Sequence, residues 1–254
     1  MKIVAIIPAR MGSSRFPGKP LAPILGSPMI EHVYRRTKMC PALDTVIIAT
    51  CDPEIVESVE AFGGRAMMTS AAHQRASDRV AEAAADLDAD VIVMVQGDEP
   101  MTSPEMIEES LAPFLNGDQK VSCVNLTARI TRQKEFEDPN TIKVVMDRDG
   151  HALYMSREPI PTLHLKNFDQ ISAFKQVCII PFTAAALQEF IRLDPTPLEV
   201  AESIDMMRFI EHGRRVKMIE TAFTTQAVDT PDDLRRVEEL LRQDPLTAKY
   251  NNIS

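Results

Sequence analysis

The chain has 254 residues, enough to bury a full core as one large domain or two small ones. Its formal net charge of −9 excludes a general binder of nucleic acid or of an anionic membrane. Hydrophobic residues make up 44% and charged residues 26%, the balance of a soluble globular protein, and no apolar run approaches the length of a membrane-spanning helix.

Ile3 to Ile7 opens the chain as a strand-like run, without the pattern of a signal peptide. Pro8 ends it, and "PARMGSSRFPGKP" follows, a loop that carries Arg10, Arg15 and Lys19 among glycine, serine and proline. Residues 1 to 40 hold seven Lys or Arg against one acid, Glu31, inside an acidic chain. A positive site in a negative protein points to a small, highly charged anion as ligand. Glycines admit close backbone approach to phosphate, and the cations match its oxygens. The loop fits neither the nucleotide-binding P-loop nor the dinucleotide fingerprint, and a solvated surface loop is the competing reading.

Strand and helix patterns then alternate. Thr45 to Ala49, Val91 to Val95, Val121 to Leu126, Ile142 to Met146 and Gln176 to Ile180 read as buried strands. Pro28 to Met39, Pro53 to Phe62, Ala76 to Leu87 and Pro104 to Leu115 read as helices, the last with Ser103 as N-cap. This order predicts an α/β fold, a three-layer α/β/α domain around a largely parallel sheet. Ligands in such sheets bind beyond the carboxyl ends of the strands, which is where the basic loop sits. Between about residues 128 and 175 the pattern loosens into an embedded β-containing excursion, with a hairpin turn at Asp149-Gly150. Ala184 to Arg192, Leu198 to His212 and Pro231 to Leu241 are helical again. The expected organisation is one domain over residues 1–254 with that excursion inside it.

Two further stretches place acids beside the basic loop. "VIVMVQGDEPM" sets Gln96, Gly97 and Asp98 directly after a buried strand, where a carboxylate can hold a hard cation such as Mg2+ against substrate phosphates. A plain Gly-Asp turn is the alternative. "QAVDTPDDL" places Asp229 just before a helix that opens at Thr230-Pro231. Asp232 and Asp233 favour the helix dipole there, but Asp229 lies outside that turn. The four cysteines are widely spaced, which fits reduced thiols and a cytoplasmic setting.

The basic loop, "VQGDEP" and the VDTP ending, in this order, resemble the sugar cytidylyltransferases, most closely the branch that activates 3-deoxy-manno-octulosonate (Kdo). "PMIEHVYRR", "MTSAAHQRASDRVAEA", "NTIKVVMD" and "ALYMSREPIP" extend the likeness to about residue 243. The resemblance implies a Rossmann-like α/β/α nucleotidyltransferase domain with a small dimerisation element. It also implies an enzyme that joins CTP and an acidic sugar into a CMP-sugar, with Mg2+ and release of pyrophosphate. By motif match, Arg10, Ser13, Arg15 and Lys19 hold the triphosphate. Gln74, Ser77, Arg79 and Gln96 help bind the nucleotide, and His73 and Asp78 lie in the same matched stretch. Asp98 and Asp229 hold the metal, and with Lys19 they form the catalytic set. Arg157 faces the sugar. The partners expected are CTP, an acidic sugar and a second copy of the chain, with no nucleic acid and no membrane.

The sugar half departs from that pattern. "QVCIIPFT" stands where Kdo-activating members carry "HLGIYGYR", so that Gln176 replaces His and Ile180 replaces Tyr. Asp205-Met206-Met207-Arg208 stands for an E-Q-L-R pattern. An unmatched sugar hydroxyl costs about 1–3 kcal/mol. The changes predict a carboxylate-bearing acceptor, Kdo or a related ulosonate with altered hydroxyls, bound by Arg157, Gln176, Asp205 and Arg208. The alternatives are a nucleotidyltransferase for another acidic acceptor or a non-catalytic nucleotide-binding relative.

Overall fold

The computed structural model describes residues 1–12, 15–223 and 225–251. In chain order the first elements are β1 (Ile3–Ala9), the ribbon strands β2 (Pro23–Ile24) and β3 (Ser27–Pro28), α1 (Met29–Lys38), β4 (Thr45–Thr50) and α2 (Pro53–Ala61). Then come β5 (Ala66–Met68), α3 (Ala76–Ala84), β6 (Val91–Val95) and α4 (Pro104–Leu115). The middle of the chain forms β7 (Val124–Arg129), α5 (Gln133–Glu137), β8 (Lys143–Met146), β9 (Ala152–Ser156), β10 (Phe174–Val177) and β11 (Ile179–Thr183). It continues through α6 (Ala184–Phe190), α7 (Pro197–Glu202), α8 (Met206–Glu211) and β12 (Lys217–Glu220) to α9 (Pro231–Gln243).

These elements form two compact units, residues 1–108 with 224–254, and residues 109–223. The excursion expected at 128–175 falls inside the second unit. Apolar runs at 121–126 and 176–180 read like continuations of the first sheet, yet β7 and β10 pair with each other in a separate one. Nothing in a Val-rich run states which sheet it joins.

In the first unit, β6, β1, β4 and β5 lie side by side and all parallel. Every residue of β1 is buried, as befits a strand covered on both faces. Carboxylates fix where the strands begin: Asp44 accepts from the Ile3 N–H at 2.7 Å and Asp90 from the Lys2 N–H at 2.6 Å. Register pairs Ala9 with Thr50 and Ile6 with Met94, so the strands end level and their loops leave from one edge. α9 starts on a capping box, with Thr230 Oγ1 accepting from the Asp233 N–H and Asp233 accepting from the Thr230 N–H. Its Val237 and Leu241 pack with Ile24, Met29 and Val228, and with Phe16 of the basic loop. That apolar cluster carries residue 228 to the neighbourhood of residues 16–29.

The second unit has its own sheet in the order β12-β7-β10-β8-β9. β12 runs parallel to β7 and the remaining pairs are antiparallel. β8 and β9 form the expected hairpin, turning at Gly150 with φ 74°. The predicted run Gln176 to Ile180 breaks at Cys178 into β10 and β11. The predicted helix Leu198 to His212 is two helices. Ser203 ends α7 in the left-handed region, φ 55°, and Arg208 of α8 pairs with Glu199 of α7. That buried pair requires the second helix to turn back on the first.

The C-terminal docking of the first unit contains a titratable lock. His32 of α1 is fully buried, with Nε2 2.8 Å from the Ile24 carbonyl and Nδ1 2.9 Å from the Tyr250 hydroxyl. A carbonyl only accepts, so Nε2 carries the proton and Nδ1 accepts from the hydroxyl. Burial lowers the His32 pKa from 6.5. A depressed folded-state pKa means stability that is present above pH 6.5 and lost as the pH falls below it. Thermal melts of the wild type should therefore lose stability from pH 7.5 to pH 5.5 more steeply than melts of His32→Phe. That variant, leaving two polar partners unmatched, should itself be weaker by about 1–3 kcal/mol at pH 7.5.

Candidate active site

The level ends of β1, β4 and β6 set three loops around one opening. Asp52, just after β4, accepts from the Met11 N–H at 2.7 Å, and the Gly18 N–H donates to the Met11 carbonyl at 3.0 Å. The basic loop is thereby closed into a turn. Gly18 sits at φ 72°, where a side chain would strain the backbone. After β6 the backbone at Gly97 passes so near β1 that a Cβ would lie 2.6 Å from the Pro8 carbonyl oxygen. Glycine is what allows residues 96–98 to form the floor of the opening.

The resulting cavity has a volume of about 320 Å3. Arg10, Arg15, Lys19, Arg75 and Arg79 face it from the basic loop and from the segment at and before α3, with Asp98 and Asp229 as the acids. Five cations against two carboxylates leave a positive interior in an acidic chain, suited to a polyphosphate.

Lys19 is the centre of the arrangement. Its Nζ donates to Asp98 Oδ2 and to the Val228 carbonyl, both at 2.8 Å, and lies 3.5 Å from Asp229 Oδ1. Arg15 donates to the same Asp229 oxygen at 2.9 Å. The Val228 N–H donates to the Asp98 carbonyl at 2.9 Å, so the two acid-bearing segments are also joined through backbone. The Lys19 side chain is 13% exposed and that of Arg15 is 52% exposed. Lysine is a fixed part of the wall, whereas arginine reaches in from solvent.

Of the residues read from the sequence, Arg10, Arg15, Lys19, Gln74, Arg79, Gln96, Asp98 and Asp229 line this cavity together. Ser13 lies outside the described residues. Ser77 is fully buried in α3 and is absent from the cavity wall. Arg79 is buried too, and its Nη1 donates to Thr69 Oγ1 and to the Ser70 carbonyl, so part of its guanidinium holds the neighbouring segment. His73 reaches the cavity while its Nε2 contacts Glu82. Arg75 also lines the cavity and was missed. Asp52 was missed as the anchor of the basic loop, although a carboxylate directly after a strand was a readable signal.

The four acceptor candidates all lie in the second unit. Arg157 Nε donates to the Glu202 carbonyl at 2.6 Å, and its Nη atoms donate to the Pro139 and Ser203 carbonyls at 3.0 and 3.3 Å. Gln176 Nε2 donates to Asn125 Oδ1 at 2.6 Å. Asp205 stands at the start of α8. Arg208 is a correction. It is 3% exposed, gives Nε and Nη2 to the two oxygens of Glu199 at 2.8 and 2.7 Å, and stacks on Phe190. A guanidinium committed to a buried bidentate pair is a structural tie between helices and not a clamp for a ligand carboxylate. Ile180 is likewise 2% exposed, part of the core, and presents almost no surface to a sugar.

The family model described as "Cytidylyltransferase" matches residues 4–221. A protein of Geobacter metallireducens named 3-deoxy-manno-octulosonate cytidylyltransferase is 46% identical over 250 residues, covering 95% of this chain and 98% of that one. A Syntrophobacter fumaroxidans protein of the same name is 43% identical, covering 98% of this chain and 100% of its own. Among solved structures, a CMP:2-keto-3-deoxy-manno-octonic acid synthetase complexed with CTP superposes with TM-score 0.88 at 38% identity, covering 96% of this chain and 99% of that one. A 4-diphosphocytidyl-2C-methyl-D-erythritol synthase of Anaerococcus prevotii shares the fold at 16% identity, TM-score 0.62. With its strand-end cavity and whole-length relatives, the chain belongs to the cytidylyltransferase family of nucleotidyltransferase enzymes.

Proposed function

We propose that the chain transfers the cytidylyl group of CTP to the anomeric hydroxyl of 3-deoxy-manno-octulosonate and releases pyrophosphate. The observation that carries this reading is the cationic cavity whose lysine is shared by two carboxylates, in a chain whose relatives bear that activity as their name. The hydroxyl oxygen forms its bond to the α-phosphorus as the bond from that phosphorus to the pyrophosphate oxygen breaks. The hydroxyl proton passes to solvent. Charge builds on the phosphoryl oxygens and on the leaving pyrophosphate, so catalysis rests on positioning and on electrostatic stabilisation. Arg10, Arg15 and Lys19 supply that stabilisation from the basic loop. Gln96 and Gln74 offer amides to the nucleotide.

Asp98 and Asp229 fit a Mg2+ ion. Their oxygens already converge on one cation, the Lys19 ammonium. Among the described residues no three acid, histidine or cysteine side chains converge as a cage, so an ion held by Asp98 and Asp229 would need phosphate or water for its remaining ligands, as Mg2+ commonly does. When bound, the ion would neutralise charge on the phosphoryl oxygens. Lys19, held between the same two carboxylates, would remain beside the phosphates as a second positive charge.

The same reading extends to the surroundings. Leu153 of β9 and Val200 of α7 are 58% and 63% exposed on the second unit, and a second copy of the chain is the partner proposed for them. No helix is long and apolar enough to cross a membrane among the described residues. The four cysteines are free thiols, which supports a reducing, cytoplasmic setting.

Pyrophosphate release should require CTP and Kdo together. In a panel of the four nucleoside triphosphates with Kdo, an 8-amino analogue and sialic-type acids, CTP with Kdo should turn over at roughly 1–1000 per second. Faster turnover with another acid would favour the second reading, in which the Gln176 position tunes the acceptor. Lys19→Ala should lower kcat/KM by about 10²–10³-fold, as removal of one oxyanion donor does. The variant should stay folded, with a melting temperature lowered by the loss of the ties to Asp98, Asp229 and the Val228 carbonyl. Asp98→Asn and Asp229→Asn should each lose most Mg2+-dependent turnover and bind Mn2+ more weakly by paramagnetic relaxation. Unchanged Mn2+ binding in both would refute the metal assignment.

A further inference from the structure

We propose that Glu82 is a positioning residue for the nucleotide: from α3 it holds residues 69–75 in the shape that makes one wall of the cavity. The proposal rests on reading the cavity as the CTP site.

His73, Gln74, Arg75 and Ala76 all line the cavity, and the first three belong to an irregular segment between β5 and α3. Such a segment has no ladder or helix to keep its shape. Its start is fixed to β4, with the Thr69 N–H and Oγ1 donating to the Thr50 carbonyl at 2.8 and 3.1 Å. Beyond that point two side chains of α3 hold it, three residues apart and so on one face of the helix. Arg79 donates to the Ser70 carbonyl at 3.3 Å, and Glu82 Oε2 accepts from the Ser70 N–H at 2.9 Å. Ser70 is therefore gripped on both of its backbone polar groups. The same Glu82 oxygen also meets His73 Nε2. One carboxylate thus fixes both ends of a four-residue turn, and the turn is closed internally by the Ala72 N–H donating to Ser70 Oγ at 3.1 Å.

Glu82 does not itself face the cavity. Its carboxyl is held below the usual carboxylate range, chiefly by the Ser70 N–H, so it remains an anionic acceptor at neutral pH. Both bonds to it are charge-assisted and short-range. Without them, residues 70–75 spend time away from the binding shape, and apparent affinity falls by the fraction of time lost. The reacting groups on the basic loop are untouched, so the effect falls on binding.

The test uses the full chain with CTP, Mg2+ and Kdo. Glu82→Ala should raise the CTP KM and the calorimetric Kd by about tenfold, with kcat within about twofold. Glu82→Gln keeps an oxygen for the Ser70 N–H and should fall between Ala and the wild type. Hydrogen exchange of the 70–75 amides, measured without nucleotide, should quicken in Glu82→Ala and recover in Glu82→Gln. A wild-type CTP Kd in Glu82→Ala overturns the proposal, as does a lowered melting temperature with unchanged KM, which makes Glu82 a structural residue alone. A wild-type chain that fails to bind CTP overturns the cavity reading itself, and the proposal with it.

Discussion

The Lys19 ammonium is where the first unit comes together. It touches a carboxylate that follows β6, a backbone carbonyl just before α9 and a second carboxylate beside that carbonyl. A largely buried ammonium left without partners would carry a prohibitive desolvation cost, and carboxylates crowded together would repel. Each group makes the others tolerable. The arrangement therefore keeps a cation-lined cavity with two acids in it from collapsing or spreading before any ligand arrives.

The rest of the first unit serves that point. Parallel register brings three loops level, the close passage at Gly97 lowers the floor, and the apolar cluster around Val228 and Phe16 delivers the distant acid. Rigidity is distributed unevenly. Asp52 ties the basic loop through a backbone N–H, whereas the Arg15 side chain that meets Asp229 is half exposed. The second unit uses charge differently. Lys143 is fully buried and donates to the carbonyls of Asp138, Thr141 and Arg157, which places it in the scaffold and not in chemistry.

The parallel core was legible because strands covered on both faces appear as unbroken apolar runs, and Ile3–Ala9 and Val91–Val95 are such runs. Gly150 and Thr230 marked their turn and cap for equally local reasons. Much of the cavity was legible too, because cations and an acid after strand ends, ambiguous one by one, occur together and in the order that the sugar cytidylyltransferases show. What spacing could not reveal was that Asp98 and Asp229 share a lysine; that contact depends on how α9 packs. The break at Ser203 was hidden because a serine in left-handed conformation leaves no compositional mark. Arg208 was misread for the same kind of reason: exposure and burial of an arginine look alike in one dimension, and its partner Glu199 lies a helix away.

The first unit is assembled from both ends of the chain, with residues 109–223 as one long interruption. Closing so long a loop costs little more entropy than closing one half its length, because the cost grows only with the logarithm. The order of synthesis is another matter. A growing chain can form the four parallel strands and present Lys19 and Asp98 early, yet Val228 and Asp229 follow only after the whole intervening unit has been made. During that interval the half-built cavity carries its surplus of positive charge without its second acid. The last partner to arrive converts an exposed basic patch, open to any polyanion, into a site with a defined ligand.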